Sequence, residues 1–203
     1  MTATDDARQR VGFLETPDVS DAAQRMFDED VADHGFVMNA SRLWAYAPEV
    51  HEGLFDLLGT LTRLGSLSLR LRGILVAATA SSLGDAYCSL AWGSRLADAT
   101  SATTAGNVLR GVDDDLDDAE KALAAWARQV ASDPNGTNDV NIRDLRHAGF
   151  SDAQIFAATA FIALRLAFST VNDALGAQPD RELAASVPPE VRDAVDFGRS
   201  PGA

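Results

Sequence analysis

The chain reads as an all-α protein: a single domain of about seven or eight helices. Three observations carry this reading. Leu54, Leu57, Leu58, Leu61 and Leu64 recur at three- and four-residue steps, the stripe of a helix that buries one face. Ser, Asp and Pro stand where helices should begin, and Gly where they should end. No segment alternates apolar and polar residues as a half-buried strand would.

Residues 1–18 are polar and patternless, and read as a flexible arm. Ser20-Asp21 opens a helix to about Asp33, with Ala23, Met26, Phe27 and Val31 on its apolar side, and His34-Gly35 closes it. A short helix follows over Asn39 to Tyr46. Pro48 opens the leucine-striped helix at a first-turn position, with Glu49 and Glu52 suited to its positive end, and Gly65 stops it.

Leu67 to Ala97 forms the centre of the chain. This stretch starts polar, turns apolar from Ile74 to Ala80, breaks at Gly84 and restarts at Asp85. Two consecutive helices with a tight joint fit that pattern, Gly84 supplying the backbone freedom and Asp85 the N-cap. Cys88, the single cysteine, then falls in the first turn of the second helix, where the dipole favours a thiolate.

Beyond the joint, Ser101 caps a helix ending near Gly111. The five aspartates between Asp113 and Asp118 read as a solvated helix start, since they lack the ligand spacing and glycine turn of a calcium loop. Leu116, Leu123, Trp126 and Val130 carry that helix to about Ala131. Asp133-Pro134-Asn135-Gly136 is a loop, and Asp139 caps a short helix ending at Gly149. Ser151 and Gln154 form a capping box for a long helix to about Leu175. That helix is apolar almost all round, which places it at the centre against Ile74–Ala80. Its Arg165, Ser169 and Thr170 and its caps mark a buried core helix rather than a membrane span. The helical domain occupies 19–178, and 179–203 is a tail with one weak helix from Glu190 to Phe197.

The 203 residues are 46% apolar and carry a net charge of −13. Such a chain repels phosphate backbones and anionic membrane surfaces, so neither nucleic acid nor membrane is expected as a partner. One cysteine excludes an intramolecular disulfide, and the N-terminus has no basic-then-apolar leader, so a cytoplasmic protein is expected. His34, His51 and His147 sit on separate predicted helix ends or faces without metal-ligand spacing, and no cofactor or metal is expected. Arg165, within an apolar helix, needs a partner, for which a neighbouring carboxylate is the simplest choice and an anionic ligand the alternative.

The central stretch resembles the carboxymuconolactone decarboxylase and alkyl hydroperoxidase D family, in particular its peroxidase-related branch. There a glutamate-bearing helix leads into Cys-x-x-Cys-x-x-x-His. Cys88 matches the second cysteine, Tyr87 an aromatic before it and Gly93 a glycine after the histidine. Asp85 stands for the first cysteine, Trp92 for the histidine and Gly73 for the glutamate. Asn39, Arg42, Pro48, the segment from Gly65 to Arg72, that from Ala119 to Ile155, and Asp173 to Gly176 extend the resemblance over roughly residues 35–178. It implies the alkyl hydroperoxidase D-like fold, association of helix faces into a homo-oligomer, and a degenerate redox centre: one sulfur cannot close the disulfide that completes the family's cycle. The candidate site is Cys88 and Asp85 as chemical groups, with Tyr87, Trp92 and Arg165 around a small apolar or anionic ligand. Four functions remain: a decayed peroxidase-related protein keeping its pocket, a single-cysteine peroxidase, a non-redox enzyme such as a decarboxylase, isomerase or lactone-handling enzyme using Asp85, or a non-catalytic binding or assembly protein.

Overall fold

The computed structural model describes residues 10–202, whose regular structure is eleven α-helices, one 3₁₀ turn and one two-stranded ribbon. The ribbon corrects part of the expected flexible arm. Strands β1 (Arg10–Val11) and β2 (Leu14–Glu15) pair antiparallel, and the Phe13 N–H donates to the Leu175 carbonyl at 2.9 Å. Two-residue strands are too short to show alternation, so sequence pattern misses them. Residues 1–9 of that expected arm lie outside the described residues.

The helices begin where their caps stand. Helix α1 (Asp21–His34) is capped by Ser20, α2 (Asn39–Trp44) follows, and α3 (Pro48–Leu64) starts on its proline. Helix α4 (Leu69–Leu83) is capped by Ser68, α5 (Ala86–Ala99) by Asp85 and α6 (Ala102–Leu109) by Ser101. Helix α7 (Asp118–Ser132) begins with a capping box of Asp117 and Glu120. Of the aspartate run there, Asp114, Asp115, Asp117 and Asp118 are exposed as expected, while Asp113 takes a two-pronged ion pair from Arg128, at 2.6 and 2.8 Å. Pro134–Gly136 is the 3₁₀ turn, and α8 (Asp139–His147) is capped by Asn138 rather than Asp139. Ser151 and Gln154 box the start of α9 (Asp152–Ala174). The tail holds two short helices, α10 (Arg181–Ser186) and α11 (Pro189–Arg192), instead of one from Glu190 to Phe197.

The centre of the molecule is α4, with every residue from Gly73 to Ala80 buried. Small side chains at Ala77, Ala78 and Ala80 let α5, α6, α7 and α9 pack around it. Glu120 of α7 reaches back to the Arg70 guanidinium at the start of α4. The long helix α9 takes a flanking rather than the central place. It covers α3, α4 and α7 with one side and exposes Phe156, Ala163 and Ala167 on the other. Among the described residues it is the one helix long and apolar enough to cross a membrane by composition, yet its inner face here is packed against protein.

The tail belongs to the core. Val191 of α11 is fully buried against α5 and α6, and Val187 and Ala194 are buried beside it. Gly93 permits this seat: a Cβ there would come within 2.6 Å of Val191 Cγ1 and 3.0 Å of Leu109 Cδ1. Gly93→Ala is therefore expected to cost about 1–3 kcal/mol through overpacking. Val191→Ala should also destabilise alone, but in the double variant the vacated space should make the two losses less than additive. Urea denaturation of the four proteins measures this, and simple additivity would show that α11 does not rest on Gly93.

Candidate functional site at Cys88

The site begins at the joint between α4 and α5. Gly84 ends α4 at φ 72°, a left-handed conformation that favours glycine. Asp85 then turns its carboxylate inward, where Oδ1 accepts the Cys88 N–H at 2.9 Å. Cys88 thus occupies the third position of α5, and Trp92 lies one turn further along the same face.

Helix α9 closes over the sulfur. Arg165 Nη2 and Ser169 Oγ, one turn apart, each donate to Cys88 Sγ at 3.5 Å. Arg165 is 4% exposed, and no carboxylate of the described residues lies within ion-pair distance of it. Its guanidinium carbon instead stands 5.3 Å from the Trp92 ring centre and 5.0 Å from that of Phe168. The expected carboxylate partner is thus absent. Trp44 stacks on Phe168 with centres 5.3 Å apart, and Phe55 meets the same ring edge-on. Trp44 is held in turn by its indole N–H to Asn172 Oδ1, at 2.9 Å.

A cavity of about 560 Å³ opens beside these groups, between α1, α2, α3, α4, α5 and α9. Cys88, Tyr87, Trp92 and Arg165 all line it. Asp85 does not: it is fully buried behind Cys88 and reaches the cavity only through the hydrogen bond that orients the cysteine backbone. Tyr87 contributes ring rather than hydroxyl chemistry, because its O–H donates to the Asp180 carboxylate while accepting the Ala40 N–H at 3.2 Å. His34 and His51, separate in the sequence reading, both stand on this cavity. Arg72, Arg95 and His51 were not foreseen as site residues. Arg95 lies three residues after Trp92 and seven after Cys88, so the helical repeat could have revealed it.

The electrostatics disarm the thiol. Burial pushes the Cys88 pKa up, to about 12, and the Asp85 carboxylate adds to this. Arg165 and the Ser169 hydroxyl pull the other way and lose. Burial lowers the pKa of His51, against the pull of Asp30 and with the help of Arg165, so its imidazole is neutral at pH 7. Burial and the neighbouring Arg165 charge also lower that of Arg95. Position 73, expected from the resemblance to hold a glutamate, is tightly enclosed. A Cβ on Gly73 would lie 3.1 Å from both Cβ and Cδ1 of Leu96, so α4 and α5 leave no room there for a carboxylate.

No family model matches the chain, and no curated protein sequence matches it. Solved structures share its fold. The alkylhydroperoxidase AhpD core of a peroxidase-related protein from Ralstonia eutropha JMP134 superposes with a TM-score of 0.76 at 22% identity, over 86% of this chain and 95% of that one. A peroxidase-related protein from Silicibacter sp. TM1040 gives 0.75 at 18% identity, over 86% and 95%. The debrominase Bmp8, as a variant in complex with 2,3,4-tribromopyrrole, gives 0.71 at 17% identity, over 93% and 98%. The chain therefore has the all-helical, alkyl hydroperoxidase D-like fold expected from its sequence.

A thiol held protonated in the fold contributes stability that is present below the unfolded thiol pKa near 9 and lost as pH rises toward about 12. Ultraviolet titration against Cys88→Ser should accordingly show no thiolate absorbance up to about pH 10. Asp85→Asn, which keeps the cap acceptor, should lower the midpoint without bringing it to the ordinary range, since burial is the larger cause. A midpoint below about 8 in the unaltered protein would contradict this.

Proposed function

We propose that this chain is a peroxidase-related member of the carboxymuconolactone decarboxylase and alkyl hydroperoxidase D family that has lost the disulfide cycle and kept the pocket as a small-molecule site. The cavity ending at Cys88, Trp92 and Arg165 carries the reading, because a filled, dry site would have left nothing to bind. The loss of the cycle rests on the residues. Cys88 has no second cysteine to pair with, Trp92 offers an indole N–H with no proton to relay near neutral pH, and Gly73 has no side chain. Cys88 and Asp85 then act as a pair in which Asp85 orients the cysteine and adds to the burial that keeps it protonated. Tyr87, Trp92 and Arg165 bound the ligand.

A second reading, a non-redox enzyme, draws support from His51. Its neutral imidazole on the cavity wall can accept a proton from a bound substrate, a task for which the sealed Asp85 is badly placed. Bmp8, described with a small halogenated heteroaromatic compound, supports the capacity of this fold for such ligands. The protein is further proposed to be cytoplasmic and homo-oligomeric, joined through apolar helix faces such as that of Leu57 and Leu64 on α3 with Phe156 on α9.

Peroxide consumption in the presence of a dithiol reductant should not exceed that of Cys88→Ser. Robust turnover abolished by that substitution would replace the reading with a single-cysteine peroxidase. Sedimentation in reducing buffer should show a dimer or larger species, and a clean monomer at micromolar concentration would remove the assembly proposal.

A further inference from the structure

Arg165 is a buried charge with no counter-charge among the described residues. It is 4% exposed, its one polar contact is the Cys88 sulfur at 3.5 Å, and its Nε is buried without an acceptor. A buried guanidinium without a counter-charge carries a large desolvation cost. Other arginines of this chain avoid that cost: Arg70 meets Glu120, and Arg128 meets Asp113. Around the cavity the pattern reverses. Arg72 and Arg95 line it with Arg165, and none of the three is ion-paired among the described residues. The Cys88 thiol is not the missing anion, because burial and Asp85 keep it protonated.

We infer that the cavity takes a small aromatic monocarboxylate, whose carboxylate lies against the Arg165 guanidinium while its ring rests among Trp92, Phe55 and Phe168. The inference rests on the cavity being a ligand site and adds the class of ligand. A carboxylate suits the unused Nε because a planar guanidinium pairs two of its N–H groups with two oxygens at once. The aromatic body follows from the wall, where Phe55, Trp92 and Phe168 all line the cavity. The single charge follows from the exposed side of the cavity, where the carboxylates of Glu29, Asp33, Glu52 and Asp56 outnumber the Arg25 guanidinium. Those carboxylates repel a second negative charge projecting outward, while the buried end attracts the first.

The test uses the full chain, three probes and the Trp92 indole resonance, assigned with Trp92→Phe. Benzoate should shift that resonance and saturate. Benzamide, the same shape without the charge, should bind at least about tenfold more weakly. Phthalate, with a second carboxylate, should also bind more weakly than benzoate. Arg165→Gln should reduce benzoate affinity at least about tenfold and leave benzamide within about twofold. Arg95→Gln, at a half-buried position less exposed to folding defects, should weaken benzoate by a smaller factor in the same direction. Benzamide binding as tightly as benzoate would overturn the inference while leaving the cavity as a small-molecule site. No shift of Trp92 by any probe would overturn both. Phthalate binding more tightly than benzoate would overturn the single-charge assignment.

Discussion

The hydrogen bond from the Cys88 N–H to Asp85 Oδ1 joins two requirements that pull in different directions. As a cap, the carboxylate satisfies a free donor at the start of α5 and lets the chain leave α4 through a single left-handed glycine. As a charge, it sits in the first turn with the thiol and opposes ionisation. The tight joint brings α4 and α5 so close that Gly73 and Leu96 touch. Packing this compact leaves α5 presenting Cys88, Trp92 and Arg95 along one side, and α9 closes on that side. The direction of the cavity, the burial of the sulfur and the exclusion of a carboxylate from position 73 all depend on this joint.

Charge is distributed around the cavity in an unusual order. In a protein with net charge −13, Arg72, Arg95 and Arg165 line the more buried side of the cavity, and Glu29, Asp33, Glu52 and Asp56, with Arg25 among them, line its exposed side. Arg165 is tolerated there because its flat faces meet the rings of Trp92 and Phe168, which accept a cation better than aliphatic side chains would. Trp92 also lies 5.2 Å from the Arg95 guanidinium carbon, so its ring stands beside two cations at once.

Much of the fold was legible because helix starts are local. Ser20, Ser101 and Ser151 hold the caps their positions suggest, and the leucine stripe of α3 and the break at Gly84 follow from nearest neighbours along the chain. Tertiary outcomes were less accessible. The composition of α9 suggested a central helix, yet α4, with alanines on every side, accepts neighbours all round and takes that place. Cys88, Tyr87, Trp92 and Arg165 were recognisable as a group, whereas Arg72 and His51 arrive from other helices and share no sequence spacing with them. The anticipated carboxylate beside Arg165 failed for the same reason. Whether a buried charge is neutralised by protein or left for a ligand depends on which helix packs across from it, and nothing adjacent in the sequence reports that.

The sulfur is covered from far along the chain. Ser169, which donates to Cys88, follows it by 81 residues. At roughly 5–20 residues per second, a ribosome needs about 4–16 s to supply that cover. During synthesis Cys88 is therefore an open thiol on an incomplete helical layer, with neither Arg165 nor the burial of the finished fold acting on it. The burial that raises the Cys88 pKa is a property of the completed fold, and a chain that ends short of α9 does not yet have it.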